Sequence, residues 1–169
     1  TTKREDVRDV LISKSKFEIS TLPKGATIAT SSTRRAAQLL DHRPDLKIIT
    51  IRGNVGTRLQ KLADNPEIDG TILAAAGLHR LGFKIDSDGI LHGEGIPVGL
   101  HAAAISLEAM LPCVGQAAIG IEIRENDARI DLICEKLNDL ATWHCVTTER
   151  VFLRAMGGGC QSAVGAYAE

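Results

Sequence analysis

Short apolar runs separated by polar breaks dominate the first half of the chain. Residues 7–13 carry Val7, Val10, Leu11 and Ile12 and predict a strand, and residues 14–24 form a polar connection that closes on Pro23, Lys24 and Gly25. Three units of one design follow. Residues 26–30 predict a short strand, Ser31, Ser32 and Thr33 a hydroxyl-rich turn, and residues 34–40 a helix. The apolar run 47–51 predicts the next strand; Arg52, Gly53, Asn54, Val55 and Gly56 form a glycine turn, and residues 57–63 a helix whose leucines fall on one side. Residues 70–75 predict a third strand, Ala76 and Gly77 a turn, and residues 78–81 a short helix.

Strands alternating with helices at roughly twenty-residue intervals imply right-handed crossovers and a mostly parallel sheet, so the fold class is α/β with flanking helices. In such a sheet every strand-to-helix turn opens at the carboxyl ends of the strands, where ligands bind. Residues 30–35, 52–58 and 75–80 are therefore expected along one crevice. Helix N-termini with free N–H groups favour anions there, and Arg34, Arg35, Arg52 and Arg58 add planar forks suited to carboxylates or phosphates. Taken one at a time, each arginine reads more readily as a solvated surface charge; their shared edge brings the surface and site readings level.

The second half is less regular. Residues 83–101 predict a loop or hairpin with no assigned chemistry, and residues 111–116, containing Pro112 and Gly115, a bend or hinge. Alternating Ile119, Ile121 and Ile123 predict a strand over 117–124. Asn126 or Asp127 caps a helix whose apolar stripe is Ile130, Ile133, Cys134 and Leu137, which places Cys134 in a core. A further helix over 143–156 turns Val146, Phe152, Ala155 and Met156 inward and stops at three glycines, 157–159. Cys160 follows on the turn, where it reads either as an accessible thiol or as a small hydrophobe, and residues 161–168 begin a strand.

Charge sharpens the first half as the place of chemistry. The net charge of −1 argues against bulk nucleic-acid binding, yet residues 1–84 hold 15 Lys and Arg against 9 Asp and Glu, while residues 85–169 hold 5 against 12. With only 3% aromatic residues the stacking surfaces of a single-strand binder are missing, so a small polyanion is the better fit. The four cysteines, 113, 134, 145 and 160, lack Cys-x-x-Cys spacing, which favours separate thiols and no metal. No apolar run is long enough to cross a bilayer, and the charged start is no signal peptide, so a cytoplasmic protein is expected. The chain opens without methionine and stops within a strand-like alternation, which reads as a segment of something longer.

Seven ordered motifs then carry a resemblance. They are residues 4–9 (Arg, Glu, Asp, Val, Arg, Asp), 30–35 (Thr, Ser, Ser, Thr, Arg, Arg), 43–46, 52–58, 76–82, 111–116 and the Gly158, Gly159, Cys160 run. Together they resemble the porphobilinogen deaminase (hydroxymethylbilane synthase) family. The resemblance implies a transferase of haem and porphyrin biosynthesis that joins porphobilinogen units head to tail, releasing ammonia, on a dipyrromethane cofactor. It implies three domains, the first two like periplasmic binding proteins. Residues 1–110 then correspond to domain two, 111–116 to the hinge, 117–138 to a strand and helix returning to domain one, and 139–169 to the start of a small α+β domain three.

By motif, Cys160 resembles the residue that carries the cofactor as a thioether. Thr30, Ser31, Ser32, Arg34 and Arg35 resemble cofactor-binding residues, and Arg52, Gly53, Arg58 and Gln116 substrate-binding ones. The family's catalytic aspartate falls upstream of Thr1, so no catalytic residue is assigned, and the segment alone is expected to be inactive. The implied partners are porphobilinogen, the growing pyrrole chain, domain one and the rest of domain three, in a monomer that meets neither nucleic acid nor membrane. The sequence departs from the family pattern at Thr33, Ala117, Gly157, Ser162 and Ala163, and residues 83–104 read as an insertion. The rival reading is a non-catalytic anion-binding module of periplasmic-binding type, which has no use for a modified Cys160.

Overall fold

The computed structural model describes residues 1–159 and 162–169. Its centre is a five-stranded sheet made of β1 (Asp9–Ser13), β2 (Thr27–Ala29), β3 (Lys47–Ile49), β4 (Gly70–Ala74) and, beyond a two-stranded hairpin of β5 (Lys84–Ile85) and β6 (Leu91–His92), β7 (His101–Ala104). The order across the sheet is β3, β2, β4, β1, β7. β2 runs parallel to β3 and β4, whereas β1 is antiparallel to both its neighbours, β4 and β7. Four strands thus point one way and β1 against them, the mostly parallel sheet that the alternation of elements predicts.

β1 is buried at all five positions, and its side chains alternate between two cores. Val10 and Ile12 join Leu59, Leu62, Leu73 and Leu78 on the face covered by α2 (Val55–Asp64) and α3 (Ala75–Arg80). Leu11 joins Ile28, Leu39 and Ile72 on the face covered by α1 (Thr33–His42). Three layers result. Full burial of one such leucine or isoleucine contributes roughly 1.5–3 kcal/mol, so these two clusters fix the register of the whole sheet.

The stretch 83–104 is no dispensable insertion. Phe83, Leu91, Leu100 and Ala102 complete the first core, and β7 pairs with β1 from His101↔Ser13 to Ala104↔Val10. Small alanines hid the strand from a reading based on large β-branched residues.

Beyond the sheet the predictions fare unevenly. Residues 117–124 form no strand: Ile119 and Ile121 are exposed, and no described strand pairs with them. Alternation supplies one apolar face, but a strand also needs a hydrogen-bonding neighbour. α4 (Ala128–Leu137) is capped by Asp127, whose carboxylate accepts from Ile130 N at 3.2 Å. None of its residues is buried, so Cys134 is half-buried on a helix surface instead of lying in a core.

α5 (Leu140–Ala155) presents Phe152, Ala155 and Met156 to solvent, and its buried positions are Thr142 and Glu149, seven residues apart on one face. That buried stripe is polar because the chain's own start lies along it. Thr142 Oγ1 accepts from Arg4 N at 3.0 Å, and Glu149 takes the Arg4 guanidinium in two bonds of 2.6 and 3.0 Å. Glu149 also accepts from Gly115 N at 2.7 Å and Ala168 N at 3.0 Å, joining the opening segment, the 111–116 bend and the last residues. Gly157, in the left-handed region at φ 64°, follows the helix as predicted. After it, among the described residues, only an isolated bridge, Cys113↔Gly165, stands where a strand was expected. Gly165 permits that approach, since a Cβ there would sit 2.9 Å from Leu111 Cβ. Among the described residues no helix is long and apolar enough to cross a membrane, and no group of His, Cys, Asp and Glu is arranged to hold a metal ion.

Candidate functional site

β2, β3 and β4 end at one edge of the sheet, and their turns are laced together there. Thr30 N donates to Ile49 O at 2.8 Å, Ser31 Oγ donates to Ile51 O at 2.6 Å, and Ile51 N returns a bond to Ser31 Oγ at 3.1 Å. Thr30 is buried, and its Oγ1 accepts from Ser32 N at 3.2 Å. Ser32 caps α1 by accepting from Arg35 N at 3.4 Å. Arg34 and Arg35 therefore occupy the first turn of α1, where two cations face the positive end of the helix dipole and each other.

A carboxylate offsets that arrangement. Because β1 runs against the other strands, its first residue, Asp9, arrives at the edge where they finish, paired with Ala74. Asp9 is fully buried. Its Oδ2 lies 2.7 Å from Arg34 Nη2, and its Oδ1 lies 2.7 Å from Arg35 Nη2 and accepts from Gln116 Nε2 at 3.0 Å. Arg34 Nη1 donates to Leu111 O, Arg35 Nη1 donates to Ile72 O at 3.0 Å, and Gln116 Nε2 also donates to Val7 O at 2.7 Å. The Nε atoms of both arginines are buried and have no partner among the described residues.

Above this cluster lies a cavity of about 290 Å³. One wall is Ser31, Ser32, Thr33 and Arg34; the facing wall includes Cys113, Val114, Leu153, Gly159 and Ser162. Cys160 lies outside the described residues; the nearest described residues before and after it, Gly159 and Ser162, line the space. Hydroxyls, a guanidinium and a glycine-rich loop around one cavity suit a small ligand bearing carboxylates.

Arg52, Gly53 and Arg58 occupy the adjacent turn, between β3 and α2. Gly53 has φ 127°, and Asn54 caps α2 by accepting from Thr57 N at 2.8 Å. Arg58 Nε donates to Gly53 O at 2.7 Å, which steadies its fork, while Arg52 is exposed and its carbonyl accepts from Lys61 Nζ at 2.9 Å. The structure thus gathers Arg34, Arg35 and Gln116 around one carboxylate, places Thr30, Ser31 and Ser32 on the turn that leads into α1, and sets Arg52 and Arg58 on the neighbouring turn. Asp9 itself was not among the residues singled out as site residues. Its signals in the sequence are its place at the end of the 4–9 motif and a charge directly before a run of apolar positions, neither of which gives it a role.

Comparison with known proteins covers most of the chain. A family model described as "Porphobilinogen deaminase, dipyromethane cofactor binding domain" matches residues 1–132, and one described as "Porphobilinogen deaminase, C-terminal domain" matches residues 143–169. The chain is similar to the porphobilinogen deaminase of Geobacillus sp. (strain WCH70), 48% identical over 165 residues, 98% of this chain and 49% of that protein. It is 46% identical to that of Bacillus subtilis (strain 168) over 165 residues, 98% of this chain and 48% of the relative. Against that of Chlorobaculum tepidum the figure is 48% over 166 residues, 98% and 48%. The chain spans about half the length of these relatives.

Proposed function

Because the chain belongs to the porphobilinogen deaminase family, we propose that it forms the cofactor-holding half of a hydroxymethylbilane synthase, which condenses porphobilinogen units head to tail with release of ammonia. When bound, the dipyrromethane supplies the primer on which the pyrrole chain grows. The observation that carries this reading is the cavity between Ser31–Arg34 and the residues flanking Cys160. The residues fit the group: acetate and propionate side chains need fixed cations, and Arg34 lines the cavity with a buried Nε that has no partner among the described residues.

In this reading Cys160 attaches the cofactor as a thioether, which needs only a reachable, partly ionised thiol. Ser31, Ser32, Arg34 and Arg35 hold its carboxylates, with Thr30 setting the turn. Arg52, Gly53, Arg58 and Gln116 engage the incoming porphobilinogen or the terminal ring. Each charge-assisted contact contributes roughly 1.5–3 kcal/mol. The domain assignment follows the same reading: residues 1–110 as domain two, 111–116 as hinge, 117–138 as the return to domain one and 139–169 as the start of domain three. The protein is then a cytoplasmic monomer whose other partners are domain one and the remainder of domain three.

Intact-mass measurement on the full-length protein tests the proposal. A dipyrrole adduct that disappears in Cys160→Ser supports it. An unmodified Cys160 in a protein that still consumes porphobilinogen would refute the cofactor assignment, and an unmodified Cys160 in a protein that merely binds small anions would favour the non-catalytic module.

A further inference from the structure

We propose that Asp9 is the positioning residue of the anion site, holding Arg34 and Arg35 in a fixed attitude and tying them to the 111–116 bend through Gln116. The inference rests on the reading that these two arginines hold ligand carboxylates, and it assigns a role to a residue that touches no ligand in that reading.

The argument begins with charge. Two guanidiniums on successive residues at a helix N-terminus repel each other and the helix dipole, so the pair needs an anion to stay buried. Asp9 supplies one from the opposite strand direction, with one oxygen for each arginine at 2.7 Å. The trio keeps one net positive charge, enough to attract a carboxylate. A second carboxylate without Asp9's fixed geometry would let the arginines rotate and lose the pre-set direction of their remaining donors. With Asp9 in place, the Nη1 groups are anchored on Leu111 O and Ile72 O, and the buried Nε of each arginine remains without a partner among the described residues.

The same carboxylate oxygen that holds Arg35 accepts from Gln116, whose Oε1 lies 3.4 Å from Arg34 Nη2. Gln38 of α1 clasps Leu111 by two bonds, Leu111 N to Oε1 at 2.8 Å and Nε2 to Leu111 O at 3.1 Å. Residues 7–9 and 111–116 are thus joined to the first turn of α1 by one network. A ligand carboxylate that draws on Arg34 or Arg35 competes with Asp9, and the bend carrying Gln116 registers that competition.

The test uses cofactor-free full-length protein treated with phenylglyoxal, with modification followed at each arginine by peptide mass mapping, together with dipyrrole occupancy by intact mass after loading. Asp9→Asn leaves one acceptor oxygen where two were used. It is expected to raise modification at Arg34 and Arg35 by about tenfold, to leave Arg52 and Arg58 unchanged, and to cut occupancy by about tenfold while thermal unfolding stays cooperative. Unchanged reactivity at Arg34 and Arg35, or unchanged occupancy, overturns the proposal. If Asp9→Asn does not fold, Gln116→Ala decides: selective exposure of Arg34 and Arg35 supports the network, and none overturns it. Arg34→Lys and Arg35→Lys test the underlying reading separately, because full occupancy in both would remove the ligand role whatever Asp9→Asn does.

Discussion

Arg4 and Glu149, 145 positions apart, meet through two parallel hydrogen bonds of 2.6 and 3.0 Å, with the glutamate side chain 1% exposed. The Arg4 guanidinium also lies over the Tyr167 ring at 5.5 Å and donates from Nε to Gln116 O at 3.0 Å. This pair, rather than an apolar stripe, fixes α5 against the 111–116 bend. Arg4→Ala leaves a buried carboxylate with only backbone donors and is expected to cost about 3–5 kcal/mol, read as a lowered midpoint in urea unfolding. A loss within experimental error would show that α5 is held by something else.

Arg58→Lys separates substrate engagement from cofactor holding. Lysine keeps the charge but loses the fork that Nε anchors on Gly53 O. In the full-length enzyme KM for porphobilinogen is expected to rise about tenfold with dipyrrole occupancy unchanged. Parallel loss of both would contradict the division between the two turns.

Gly53→Ala strains the turn twice. The residue's φ of 127° disfavours any side chain, and an added Cβ would stand 2.7 Å from Thr57 Cγ2. A destabilisation of about 1–3 kcal/mol is expected, of which Thr57→Ser recovers the part due to the methyl group. Calorimetric midpoints of the single and double variants measure both parts.

Acid should loosen the start of α5. Hydrogen bonds from the Thr142 side chain and backbone hold the Asp139 carboxyl below its ordinary value of 3.8. A carboxylate bound more tightly when folded contributes stability above its unfolded pKa and loses it as pH falls through the depressed folded one. The stability difference between the parent and Asp139→Asn, which keeps a capping oxygen, is therefore expected to shrink below about pH 4. Melting temperatures of the two proteins between neutral and acid pH would reveal it; a difference independent of pH contradicts it.

The 169-residue chain by itself is expected to make no hydroxymethylbilane, since it spans about half the length of its relatives. A porphobilinogen-consumption assay on the purified chain checks this, and turnover would place a catalytic acid within residues 1–169.

What the sequence determined by itself was local and periodic. The runs at 26–30, 47–51 and 70–75 specify β2, β3 and β4: β4 is buried on both faces, which demands continuous apolar residues, whereas β3 lies largely exposed at the sheet edge and is marked by its β-branched residues. The serines, glycines and arginines after them mark the turns, because those backbones need caps and freedom of φ. A shared direction for those strands then put the turns at one edge, and so much of the candidate site was legible.

The tertiary structure decided what depends on partners distant in the chain. Nothing near Asp9 in sequence says that β1 runs antiparallel, yet that direction alone brings its carboxylate between Arg34 and Arg35. Nothing around Glu149 announces that Arg4 lies against α5, so the helix face predicted as core is exposed and a polar one is buried. The isoleucines at 119, 121 and 123 alternate as a strand does and remain unpaired for the complementary reason. Periodicity reports which face of an element is apolar, whereas pairing, charge compensation and burial are settled by whatever the fold places opposite.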